Sequence, residues 1–259
     1  EKLWQTLQGQ VYGKCINQAS LYPGVASFLM RSKYRGEKLF IVSHKTEFGH
    51  FDKTRIPLRR VAMEWMKSKG FFDSNLFGLN TDMVFFAGTR KEKVEKIESL
   101  KLDVFIDDLE EVFSEEGFPD IKKVLFSGKA VGISHDLLFD NWSEISDEIL
   151  GPITEKDSMA LAKIICPEEI LEVRKNSGRG NSRIFRVLTT NGKTFLLKFF
   201  PDLLVDPRPR LQTEVKAYKY LKDMCLTPKT VAYDEDLNLA LYEWIDGKSP
   251  SKIEKTHLD

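Results

Sequence analysis

Apolar positions fall into two unlike patterns along the chain. Up to about residue 128, short apolar runs alternate with stretches of helical periodicity. The runs lie at 39–42 (Leu, Phe, Ile, Val), 83–86 (Met, Val, Phe, Phe), 104–106 (Val, Phe, Ile) and 124–126 after Lys123 (Val, Leu, Phe). Uninterrupted runs of this length suit strands buried on both faces. Between them, Val25, Phe28, Leu29 and Met30 share a helix face, as do Val61, Met63, Trp65 and Met66, and then Val94, Ile97 and Leu100. The spacing predicts a helix after the turn Tyr22-Pro23-Gly24, a helix over 58–69 closed by Gly70, and a helix over 92–100. Residues 1–19 are mixed and predict a partial helix interrupted at Gly9 and Gly13. Residues 134–150, with Trp142, Ile145 and Ile149, predict a closing helix or helical turn. Strand and helix in alternation predict a parallel sheet covered on both faces.

Past Gly151-Pro152, the best boundary in the chain, the pattern changes. Thr154 is placed to cap a helix over 155–165 that Pro167 stops. Strand-turn-strand follows: 170–174, a polar loop over 176–182, then 184–188, the hairpin signal Asn191-Gly192, and 194–200. Pro201, Pro207 and Pro209 break the chain, a helix is predicted over 211–224, and two strands over 230–233 and 239–244. The expected architecture is an α/β domain over 1–151 and an α+β unit with an antiparallel sheet over 152–259.

Composition adds limits. The 259 residues are 42% hydrophobic and 30% charged, as in a soluble globular protein, and suffice for two modest domains. Formal net charge is zero, so the bulk field offers nothing to a nucleic acid. No apolar run approaches a membrane span, and no signal peptide opens the chain. Cys15, Cys166 and Cys225 are too scattered for a disulfide framework or a zinc site, so a reducing compartment, the cytoplasm, is expected. His44 and His50 flank Lys45 and Thr46 but have no Cys or third His with them, which leaves a metal site without a ligand set.

The chemistry of the first half centres on Asp103-Val104-Phe105-Ile106-Asp107-Asp108. Two adjacent carboxylates close an apolar strand, at the end where parallel sheets present ligands. Such a pair repels unless a cation or proton is shared, and Mg²⁺ suits it. The alternative is a helix cap, with Asp107 or Asp108 opening the segment 109–113. Fourteen residues before Asp107, Lys93 stands in the first turn of its predicted helix. A cation there opposes the helix dipole and asks for an anionic partner, a phosphoryl group or a carboxylate. Ser43 ends the first clear strand. In this order, Ser43, Lys93 and Asp107-Asp108 resemble the haloacid dehalogenase-like phosphohydrolase superfamily over residues 20–128. The resemblance implies phosphoryl contacts at Ser43 and Lys93 and a Mg²⁺ site at Asp107 and Asp108. It also implies an Asp-x-Asp nucleophile strand ahead of everything seen here, because residues 1–19 contain no Asp. The first half is therefore expected to lack that strand and to be inactive alone.

In the second half, Lys198 sits among Phe195, Leu196, Leu197, Phe199 and Phe200. A lysine so placed keeps its stem in a core only if its ammonium meets an anion. With the Gly-bearing loop before it and Glu214 on the next helix, it resembles the amino-terminal lobe of kinase-like phosphotransferases of the aminoglycoside phosphotransferase and choline kinase group, over residues 168–259. The resemblance implies that Gly178 and Gly180 cover ATP phosphates, that Lys198 contacts them and that Glu214 holds Lys198. It also implies that backbone groups from Glu243 to Ile245 meet the adenine. The family's catalytic and metal-binding Asp residues belong to a carboxy-terminal lobe that would begin near residue 250. The joint expectation is a fragment of a bifunctional protein, a phosphatase-like domain fused to an ATP- and Mg²⁺-dependent small-molecule kinase. Its partners would be a phosphate ester and a hydroxyl acceptor. The rival expectation is a binding or scaffolding protein built from two degenerate enzyme folds.

Overall fold

The computed structural model describes residues 2–51, 54–129, 132, 134–176, 181–224 and 226–247. It is mixed α and β, with parallel sheets in the first half and an antiparallel sheet in the second. Helix α1 (Lys2–Tyr12) opens the chain and runs through Gly9, where an interruption was expected. A single glycine costs a helix only about 1 kcal/mol relative to alanine, so a flanking run can carry it. Helix α2 (Val25–Arg35) lies between Gly24 and Gly36, both left-handed at φ 86° and 79°. Strand β1 (Ile41–His44), helix α3 (Leu58–Ser68) and strand β2 (Val84–Ala87) follow as the apolar pattern predicts. Met83 is the exception: it closes a 3₁₀ turn capped by Asn80 instead of opening the strand.

Helix α4 (Arg90–Leu100) begins two residues before the expected start at 92, because the Thr89 side chain accepts the Glu92 N–H. Strand β3 (Val104–Asp107) leads into a single turn, α5 (Glu110–Phe113), and strand β4 (Lys122–Phe126). Residues 137–139, expected as part of a helical segment, are instead an edge strand, β5 (Leu137–Phe139), parallel to β4. Three residues are too few for periodicity to tell a strand from a helical turn. Helix α6 (Trp142–Leu150) follows.

The parallel strands form two hydrogen-bonded groups, β1-β2 and β3-β4-β5, yet they share both of their faces. Val42, Phe85, Phe105 and Leu125 enter one core with Ile97 of α4. Ile41, Val84, Phe86 and Ile106 pack against the other, beside Met66 of α3. Helix α3 thus covers one face and α4 the other. Right-handed crossovers on opposite faces run in opposite directions, so the path reverses at β2. Helix α4 accordingly packs over β1 as well as β2. The layer reads β2-β1, then a seam without hydrogen bonds, then β3-β4-β5. A reversal of strand order is where open α/β layers form ligand crevices. Ser43 and Asp107 stand at the carboxyl ends of the strands that flank it.

Helix α7 (Glu155–Ile165) opens with a reciprocal Thr154–Asp157 capping box. The antiparallel sheet comprises β6 (Ile170–Asn176), β7 (Arg183–Thr189) and β8 (Thr194–Phe199), with β9 (Thr230–Asp234) and β10 (Leu239–Glu243) after helix α8 (Arg210–Leu221). Its order is β6-β7-β8-β10-β9. Alternation along β8 sends Phe195, Leu197 and Phe199 into a core shared with α7 and α2. Leu196 joins Ala240, Tyr242, Phe200 and Leu211 on the opposite side, under α8.

The core that holds Ala26 and Met30 of α2 also holds Leu197 and Leu241, so apolar packing is continuous across residue 151. Charges cluster there too. Arg35 grips Asp157 through Nε at 3.0 Å and Nη2 at 2.5 Å, and Arg183 Nη2 donates to Asp147 at 2.7 Å. Burial pushes the Asp157 carboxyl up, but hydrogen bonds from Arg35 and Thr154 with the charge of Arg31 hold it below its ordinary value. Cys15 and Cys166 are free thiols, and no helix among the described residues is long and apolar enough to cross a membrane.

Candidate functional site

Lys198 occupies the middle of β8 on the face that looks toward α8. Its Nζ donates to Glu214 Oε2 at 2.5 Å, from the second turn of that helix. The two side chains are 18% and 22% exposed, so the pair is shielded but open to a ligand. The ammonium also lies 4.7 Å from the Phe200 ring centroid, a cation–π contact. Tyr218 and Tyr242 meet edge-on at 5.3 Å beside Glu214. Burial, then the charge of Glu214, pushes both phenols up, which keeps them neutral next to the carboxylate. Among the described residues the Tyr242 hydroxyl, buried beside Glu214, has no partner in good hydrogen-bonding geometry. A hollow of about 350 Å³ lined by Arg208, Arg210, Thr213, Glu214, Ala217 and Tyr218 opens alongside.

The other expected nucleotide contacts are distributed unevenly. Gly178 and Gly180 lie outside the described residues. Glu243 ends β10, and its N–H is already committed to the Lys229 carbonyl at 2.9 Å. Ile245 is 62% exposed just beyond it. Between them the Trp244 ring lies 5.2 Å from the Arg186 guanidinium, which comes from the middle of β7.

In the first half, Lys93 reaches across from α4 and donates to Asp107 Oδ2, while Asp107 Oδ1 accepts the Leu109 N–H at 3.0 Å. Both side chains are buried, at 7% and 5% exposure. Burial raises the Asp107 carboxyl against the pull of Lys93, with a small further push from Asp108. Lys93 thus finds the carboxylate partner that its position asked for. Asp107 also behaves partly as the cap, holding an N–H just ahead of α5. Asp108 is exposed. The two carboxylates therefore diverge, and Lys93 already supplies the positive charge a metal would bring. Among the described residues no group of three His, Cys, Asp or Glu side chains converges on a point.

Ser43 lies on the Ile41 side of the pleat, and Asp107 on the opposite side with Phe105. They share a strand end but not a face. His44 Nε2 faces the Gly88 carbonyl at 3.1 Å. Two groups that sequence reasoning passed over stand out here. His135 pairs with Glu110 at 2.9 Å, a contact between distant segments with no local signal. Lys45 follows β1 and is desolvated, which lowers its pKa, and its ammonium lies 4.3 Å from the Tyr12 ring. The only local hint of it was a lysine at a strand exit.

No family model matches the chain, and no curated protein matches it. Two solved structures are similar in part. One is named as a fructosamine-3-kinase from Thermobifida fusca YX-ER1, at 19% identity over 36% of this chain and 32% of that one, with a TM-score of 0.28. The other is the choline kinase LicA from Streptococcus pneumoniae, at 23% identity over 40% of this chain and 31% of that one, also with a TM-score of 0.28. The chain thus spans about a third of the length of each.

Proposed function

We propose that residues 152–259 form the nucleotide-facing lobe of an ATP-dependent phosphotransferase acting on a small-molecule hydroxyl. The observation that carries this reading is the Lys198–Glu214 pair, a strand lysine held by a helix carboxylate at 2.5 Å and open to solvent. In that role Glu214 fixes the ammonium, and the ammonium steadies the phosphates of ATP. Phe200 screens one side and raises the strength of the contact by lowering the local dielectric. Mg²⁺ would enter with the nucleotide; the described residues offer it no cluster of their own. The matching experiment is a titration of this chain with Mg·ATP. Lys198→Met is expected to weaken binding about tenfold or more, the worth of a charge-assisted hydrogen bond. Unchanged binding in that variant would remove the nucleotide reading.

For the first half we propose a haloacid dehalogenase-like domain whose nucleophile strand is not among residues 1–151. The support is the seam between β1 and β3, which no hydrogen bonds close although both faces continue across it. A single strand inserted there would complete the layer and stand next to Ser43. The Ser43→Ala arm of the phosphate titration below tests this reading.

A further inference from the structure

We infer that Lys45 is an anion-binding residue of the crevice at the β1–β3 reversal, and that its ligand is the phosphoryl group of a phosphate ester. The inference rests on reading that crevice as the phosphoryl site of the first half, and it adds a cation that, unlike Lys93 and Arg59, is not paired with a described carboxylate. Lys93 is the obvious candidate for that cation, but Asp107 neutralises it in a buried pair. Lys45 differs. Among the described residues its ammonium has no carboxylate partner; it meets only the face of Tyr12, at 4.3 Å. A half-buried ammonium without an anion is costly, and a phosphate would relieve that cost.

Placement favours the same conclusion. The Lys45 N–H donates to the Ala87 carbonyl at 2.9 Å, so the strand geometry of β1 continues through it. Residues two apart on a strand share a face, with Cα atoms about 6.7 Å apart, so Lys45 stands directly beyond Ser43. The Lys45 carbonyl accepts the Arg59 Nε–H at 2.9 Å, and the Glu47 carbonyl two residues on accepts the Leu58 N–H at 2.9 Å. The backbone on either side of Lys45 is therefore held before any ligand arrives. Tyr12 offers the side chain a resting place, a cation–π contact worth about 0.5–2 kcal/mol that a charge-assisted bond to phosphate can replace. Tyr12 itself is 46% exposed, so the approach is open.

The test is a titration of this chain with inorganic phosphate, followed through the backbone amide resonances of residues 43–46. Saturable shifts are expected, weakened about tenfold or more in Lys45→Met and largely restored in Lys45→Arg. Lys163→Met, at an exposed position of α7 in the other half, is expected to leave the titration unchanged. If phosphate leaves these amides unmoved, or if Lys45→Met titrates like the parent chain with its spectrum otherwise intact, the inference is wrong. Ser43→Ala separates it from the reading it rests on. Weakening by Lys45→Met but not by Ser43→Ala keeps the lysine and removes the phosphoryl crevice. The reverse pattern keeps the crevice and removes the lysine.

Discussion

Each half of the molecule joins a lysine to a carboxylate across a strand–helix contact, and the two joints are mirror images in layout. In the first, the lysine is on the helix and the carboxylate on the strand, Lys93 to Asp107; in the second, Lys198 is on the strand and Glu214 on the helix. Their sequence separations are close, fourteen and sixteen residues. Their surroundings are not. The first pair is 7% and 5% exposed, with both Asp107 oxygens engaged by Lys93 and the Leu109 N–H. The second is 18% and 22% exposed, beside a hollow, with a phenol and an aromatic face for company. A sealed pair ties elements together and has little to offer a ligand. An open pair contributes less to folding and keeps a charge available for chemistry. A lysine–carboxylate pair is thus a sealed latch in one half and a solvent-accessible joint in the other.

The largest expected effect follows directly. Removing one member of a buried pair strands the other, at a typical cost of about 3–5 kcal/mol. Lys93→Met should therefore lose stability of that order, read as a lower urea midpoint at unchanged slope. A partly shielded pair lies between that cost and the roughly 0–1 kcal/mol of a fully exposed one, so Lys198→Met should lower the midpoint clearly less than Lys93→Met. Equal losses in the two variants would show that burial is not what separates the joints.

The charge cluster near residue 151 gives the next effect. Asp157 caps α7, holds Arg35 and sits 3.8 Å from the buried Arg31. Asp157→Ala should cost roughly 2–4 kcal/mol, about 1 for the cap and the rest for an under-satisfied arginine. The pH dependence has a definite sign. Asp157 titrates below its ordinary 3.8 in the folded chain, so its contribution is complete above that value and disappears as pH falls through the folded one. Asp107 runs the other way: its raised carboxyl binds a proton more tightly in the folded chain than in the unfolded one, so acid does not erode stability at that site. Acid unfolding curves below pH 3.8 should therefore flatten in Asp157→Ala and keep their slope in Asp107→Asn.

Much of this contrast was legible in the chain. The apolar runs at 104–106 and 194–200 marked strands, and the oddly placed Lys93 and Lys198 each announced an anionic partner that the fold supplies. What the pattern does not carry is which side of a strand meets which core. That is why Ser43 reads as a neighbour of Asp107 along the chain and stands on the opposite face in the fold. Burial of the partner is equally silent: nothing local distinguishes Asp107, shut in by Phe105 and α4, from Glu214. The three-residue strand β5 and the His135–Glu110 contact depend on segments far apart, and no window along the sequence contains both sides. The seam at the strand reversal follows from which faces α3 and α4 cover, again a property of packing.

The smallest expected effect sharpens the comparison furthest. Tyr242 is 2% exposed, and among the described residues its hydroxyl, close beside Glu214, has no partner in good hydrogen-bonding geometry. A buried donor so poorly aligned adds little stability, and its replacement by an apolar group of the same shape is close to neutral or favourable. Tyr242→Phe should accordingly leave the urea midpoint unchanged or raise it slightly, since the ring keeps its contact with Tyr218. Its effect on nucleotide binding has a different origin. If phosphates draw the Lys198 ammonium away from Glu214, the carboxylate loses its cation and the neutral phenol is the nearest group able to donate to it. The variant would then bind Mg·ATP more weakly than the parent chain while being no less stable, a split that a purely structural tyrosine would not produce. If binding and stability move together in Tyr242→Phe, the phenol is part of the core alone, and the open pair has one working partner rather than two.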